Sequence, residues 1–138
     1  MDADSTTTDG TTTDSTTTDS TTTADRYLAA LNEPDPALRR ELIAAAWSPL
    51  GSLTDPPAGA AGHEGVAAIA DGLHEQFPGH AFRRTSGVDG HHDRIRFGWE
   101  LVAPDGTPVL TGLDVADVME DGRVGAVTGF FGDLPSLA

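Results

Sequence analysis

The sequence predicts an α+β domain, with a cone-shaped, curved antiparallel sheet wrapped around three N-terminal helices and enclosing a pocket. Three observations carry this. Up to about residue 77 the apolar residues recur at helical spacing. From residue 81 their period changes to two, the spacing of strands. The last strands are also rich in glycine, which permits bends and close approach. Helices followed by an antiparallel meander bury both apolar faces when the sheet covers the helices.

The elements follow in order. The segment ADRYLAAL opens the first helix, with Tyr27, Leu28 and Leu31 on one face, and Asn32-Glu33-Pro34 ends it. Asp35 then serves as N-cap with Pro36 at the first helical position. That second helix runs to Trp47, with Leu38, Leu42, Ile43 and Trp47 as its apolar stripe and Arg39, Arg40 and Glu41 toward water. A short strand ends at Asp55, where two prolines stop it. The third helix spans residues 62–76 and closes at Pro78-Gly79. Strands are expected over 81–88, 94–102, 112–119 and 123–132. The segment DGHHD forms a turn after the first, PDGTP one before the third, and EDG a hairpin turn before the last.

Composition removes several function classes. The chain has 138 residues, enough for one folded domain. It has no cysteine, and all eight of its basic residues are arginine, so thiolate, disulfide and lysine Schiff-base chemistry are excluded. A net charge of −14 disfavours nucleic acid and anionic membranes as partners. With no long apolar run and no apolar signal core, the expected location is the cytoplasm. Residues 1–23 repeat TTTD at a five-residue period without a large apolar side chain after Met1, so they are expected to be a disordered tail ahead of a domain at 24–138.

The stretch GLDVADVM raises the functional question. Asp114 and Asp117 lie an odd number of residues apart, so on one strand they face opposite ways. Asp117 shares a face with Leu113, Val115 and Met119 and is the expected inward carboxyl. If the sheet is turned over, Asp114 takes that place.

The helix-then-sheet order, together with RYLAALNEPD, SLTDP, GLDVADVMEDGRV and GFFG, resembles the nuclear transport factor 2-like superfamily over residues 24–138. That superfamily includes ketosteroid isomerases, SnoaL-like polyketide cyclases and limonene epoxide hydrolase. The ketosteroid isomerase pattern is the more specific likeness. It implies Tyr27 as an oxyanion-hole tyrosine, Asp55 as general base, Asp117 as a protonated oxyanion donor and Phe131 as a pocket aromatic. A longer WSPLGSLTDP segment and a shorter final hairpin depart from the pattern and bear on pocket depth.

These residues suit proton transfer beside a carbonyl, which needs a base near carbon and donors near the oxygen that becomes negative. Desolvation by Val115 and Met119 would keep Asp117 neutral and able to donate. Trp99 is a core or pocket residue, and His63 caps the third helix or lines the pocket. The expected activity is therefore an isomerase- or cyclase-like proton transfer on a small apolar carbonyl compound, without cofactor or metal, in a homodimer formed through the outer sheet face. The competing expectation is a non-catalytic binding module of the same fold. An epoxide hydrolase is disfavoured, because Arg96 is followed by Phe97 and Gly98 rather than by the Arg-x-Asp of that family. His91-His92-Asp93 reads as a turn, since adjacent residues converge poorly on one ion.

Overall fold

A computed structural model describes residues 11–137. Three helices, α1 (Thr11–Asn32), α2 (Pro36–Ala46) and α3 (Gly62–Gln76), pack on a seven-stranded sheet. Its strands are β1 (Trp47–Asp55), β2 (Ala58–Ala61), β3 (Ala81–Arg84), β4 (Asp89–His91), β5 (Arg94–Val102), β6 (Pro108–Val118) and β7 (Val124–Phe131). The sheet is open, in the order β2-β1-β7-β6-β5-β3, with β4 also paired to β5. It is mixed rather than purely antiparallel, because β1 lies parallel to β7. This is the α+β architecture that the change of period predicts. Among the described residues no helix is long and apolar enough to cross a membrane.

Local chemistry sets most boundaries. Asp35 caps α2 by accepting from the Ala37 amide, and Pro36 follows at the first helical position. α2 stops one residue earlier than expected, because Trp47 is already extended and opens β1. The two prolines after Asp55 turn the chain into an unforeseen hairpin, with Asp55 paired to Ala58. DGHHD likewise supplies β4 before its turn, and His92 there takes a positive φ.

α1 departs most from expectation. It begins at Thr11, inside the repeat expected to be disordered through residue 23; residues 1–10 of that tail lie outside the described residues. Threonine is a weak helix former, but the buried Ala24, Tyr27, Leu28, Ala30 and Leu31 already fix a helix at this point. Extending an existing helix costs far less than nucleating one. Thr23 is itself buried and donates to the Gly122 carbonyl, joining the repeat's last residue to the β6–β7 turn.

Arg39 is the other correction. It does not face water but is 3% exposed, while Leu38 is turned outward. One Nη donates to the Glu33 carbonyl at 2.7 Å and to that of Pro34 at 3.3 Å, where α1 has just ended. The other donates to Asp71 of α3 at 2.7 Å. The guanidinium thus supplies donors for carbonyls at the α1–α2 junction and clamps all three helices. That bond holds the Asp71 carboxyl below its ordinary value, so its contribution to stability is present at neutral pH and is lost as pH falls through the lowered value. Arg39→Met should therefore cost about 2–4 kcal/mol in urea unfolding. Arg40→Met, at an exposed pair with 3.5 Å contacts, should change stability by under about 0.5 kcal/mol.

Candidate functional site

On β6 the residues Gly112, Asp114 and Ala116 face the helices, and Leu113, Val115 and Asp117 face outward. Asp114 is only 7% exposed and holds two hydrogen bonds. The Tyr27 hydroxyl donates to its Oδ2 at 2.7 Å, and the Trp99 indole Nε1 donates to its Oδ1 at 2.9 Å. Tyr27 comes from α1 and is fully buried, edge-on to Trp47 at 5.2 Å and tilted against Phe97 at 5.7 Å. Trp99 comes from β5, where it pairs with Gly112. A Cβ at Gly112 would lie 2.2 Å from Trp99 Cζ2, so only glycine there lets the indole lie against the strand.

Asp114 and Trp99 border a cavity of about 200 Å³. Its walls are Leu28, Leu31, Leu53, Leu73, Phe77, Phe82, Leu101, Leu110 and Phe131, with Asp55, Pro57 and Gln76 completing the lining. Tyr27 is not among them, because it lies behind Asp114. Asp55 ends β1, and its Oδ1 accepts from the Ala58 amide at 3.1 Å. Gly129 of β7 sits directly opposite Asp114. A Cβ there would lie 2.8 Å from Asp114 Oδ1 and 3.5 Å from Asp55 Cβ. The bare glycine lets the two acids approach, with Oδ1 the oxygen turned toward Asp55.

Burial acts on both acids in the same direction. Burial raises the Asp114 pKa; the bonds from Tyr27 and Trp99 oppose this, and the charge of Asp55 adds to it. Burial also raises Asp55, against the Ala58 amide. Tyr27 is pushed well above its ordinary value by burial and then by Asp114, so its hydroxyl stays protonated and donating. The donors decide where a proton on Asp114 can go. An indole N–H cannot accept, whereas a tyrosine hydroxyl can donate to or accept from Oδ2. A proton on Oδ1 therefore has no acceptor in Trp99 and is available to a ligand, whereas one on Oδ2 turns to Tyr27.

Asp117 was expected in this role and is not in the cavity. β6 and β7 shift register between Ala116 and Val118, and the Asp117 Oδ1 accepts from the Ala126 amide at 2.5 Å. Its carboxylate thus substitutes for a missing ladder bond at a bulge. Gly125 makes room, since a Cβ there would sit 2.6 Å from that oxygen. Val115 lies on the outer face beside Arg94 and Arg96, and Met119 lies near Arg26 and Glu120; neither lines the cavity. His63 Nε2 is 2.8 Å from the Trp47 carbonyl and also lies outside it. Of the expected residues, Asp55, Trp99 and Phe131 border the cavity, and Tyr27 reaches it only through Asp114. Among the described residues no cluster of three or more His, Cys, Asp or Glu is placed to hold a metal.

No family model matches the sequence, and no curated protein is significantly similar to it. A solved structure decides the family. It is a SnoaL-like family protein from Agrobacterium tumefaciens, provisionally assigned as an isomerase, at 38% identity and a TM-score of 0.80. The alignment covers 84% of this chain and 99% of that one. The chain belongs to the SnoaL-like family. A SnoaL-like protein from Jannaschia, provisionally assigned as a polyketide cyclase, aligns with a TM-score of 0.65 at 17% identity, covering 83% of this chain and 85% of that one. A ketosteroid isomerase-like fold from Catenulispora acidiphila, bound to trimethylamine, aligns with a TM-score of 0.65 at 11% identity, covering 80% and 85%. These two establish the shared fold.

The arrangement predicts a coupled titration. The negative charge of Asp55 disfavours ionisation of Asp114, so removing it should lower the Asp114 pKa. In carbon-13 NMR titrations Asp114 should titrate at lower pH in Asp55→Asn than in wild type. An unchanged midpoint would mean that the two acids do not interact.

Proposed function

We propose that the protein is a cofactor-independent proton-transfer enzyme, isomerase- or cyclase-like, acting on a small apolar carbonyl compound. One observation carries this reading: a buried carboxyl with both oxygens held by donors, at the wall of an apolar cavity, beside a second and less buried carboxylate. Two acids in unequal environments divide the roles. In this reading the more deeply buried Asp114 carries the proton and the less buried Asp55 is the base.

In the proposed step Asp55 removes a proton from the carbon next to the carbonyl, and the C–H electron pair moves into the enolate. The Asp114 Oδ1–H donates to the carbonyl oxygen as it becomes negative, stabilising charge where water is excluded. Protonated Asp55 then returns the proton to the same or a conjugated carbon, restoring both acids. Tyr27 and Trp99 are positioning residues that fix the orientation of Asp114. Tyr27 therefore acts through Asp114 rather than as the separate oxyanion donor that the ketosteroid isomerase likeness implied.

Exchange of the α-hydrogens of cyclohexanone in heavy water, followed by proton NMR, tests this without a known substrate. Wild type should accelerate exchange, and Asp55→Asn and Asp114→Ala should each lower the rate about 100-fold. Asp117→Asn should leave it unchanged. A wild-type rate equal to that of buffer would overturn the reading.

A second reading is non-catalytic binding of a small organic cation. It is favoured by the absence of any cation among the residues lining the cavity, by the four rings of Phe77, Phe82, Trp99 and Phe131, and by the trimethylamine held by the Catenulispora neighbour. It predicts binding of trimethylammonium and no exchange.

The same proposal includes a homodimer through the outer sheet face, where paired Leu113 and Phe130 are 38% and 58% exposed. Sedimentation should show a dimer that Phe130→Glu converts to monomer; a wild-type monomer would contradict it.

A further inference from the structure

We infer that the substrate is an uncharged compound with a single carbonyl on one six-membered ring, and not a fused polycycle. This rests on the proton-transfer reading and narrows it. The first ground is volume. An apolar cavity of about 150 Å³ holds one benzene. The cavity of about 200 Å³ here accepts one ring with a few substituent carbons. Pockets for larger, drug-sized ligands start near about 300 Å³.

The second ground is the inventory of polar groups. Among the described residues, and beyond Asp114 and the Trp99 N–H that it engages, the lining offers only the side chains of Asp55 and Gln76 as polar groups, and Gln76 is exposed. The deep wall can therefore satisfy one ligand oxygen. A second buried carbonyl or hydroxyl would lose its water without a partner, at a cost of about 1–3 kcal/mol. The third ground is charge. Among the described residues the lining holds two acidic side chains, one of them ionised in this reading, and no cation, so a ligand carboxylate or phosphate meets repulsion and no partner.

Geometry adds a constraint on where the reaction occurs. Asp114 Oδ1 and Asp55 Cβ lie 2.8 Å and 3.5 Å from one point above Gly129, so the two acidic side chains flank the same part of the cavity wall. Fused rings of steroid size exceed this volume and have to extend past exposed lining residues such as Pro57 and Gln76.

A series of ketones tests this: cyclohexenone, 3-methylcyclohexenone, a decalone, progesterone and a ring-carboxylated cyclohexanone. Binding is read from Trp99 fluorescence against a Trp47→Phe background, and α-exchange from NMR. Cyclohexenone and 3-methylcyclohexenone should bind and exchange at least about 10-fold better than the decalone or progesterone, and the carboxylated ketone should do neither. Leu110→Ala, which removes side-chain volume from the wall, should shift preference about 10-fold toward the decalone. Preference for progesterone, or tight binding of the carboxylated ketone, would overturn the inference while leaving proton transfer intact. Binding in the expected size order with no exchange of any ketone would instead overturn the proton-transfer reading and leave the size limit standing.

Discussion

A carboxyl group removed from water with no cation beside it is costly unless it is protonated and hydrogen-bonded. Around Asp114 the fold supplies two neutral donors, from α1 and from β5, and no arginine. The Tyr27 bond ties the first helix to the centre of the sheet across 87 residues of chain, and the Trp99 bond joins β5 to β6. The glycines nearby follow from them. Gly112 makes room for the indole, and Gly129 makes room for the Oδ1 that the indole holds. The aromatic layer of Tyr27, Trp47, Phe97 and Trp99 then excludes water from the back of the acid, so its open side is the cavity.

Placing the reactive group on strands and its support on a packed helix fixes it more tightly than a loop could. Asp55 is held less firmly, at a strand end and by a single amide. The asymmetry suits the division of labour proposed here. The acid must remain oriented throughout, whereas the base moves a proton between carbons. The SnoaL-like family supplies the scaffold, and the absence of a cation in the lining and the modest cavity are properties of this chain's own residues.

Much of this was legible from residue spacing. The Asp35-Pro36 start of α2, the extent of α3 and the alternation of Ile95, Phe97, Trp99 and Leu101 on β5 all followed from local chemistry. The face of β6 did not, and the reason is a single register shift. Both faces of GLDVADVM carry apolar residues, so only pairing with β5 decides between them. Leu101 pairs with Leu110 but Val102 with Pro108, a one-residue irregularity at the turn. Beyond it Phe97 stands opposite Asp114 instead of Leu113, and a slip of one residue exchanges the faces of a strand. Long-range features were equally hidden: the parallel pairing of β1 with β7, the inward turn of Arg39 toward Asp71, and the docking of Thr23 on the final hairpin.

The most direct test of this account is whether Asp114 is an un-ionised acid at neutral pH. Infrared difference spectra of wild type against Asp114→Asn and against Asp117→Asn read this without any ligand. The account predicts a protonated carboxylic acid carbonyl band that disappears in Asp114→Asn and persists in Asp117→Asn. Only carboxylate bands in the Asp114 difference, or loss of the acid band with Asp117 instead, would contradict it.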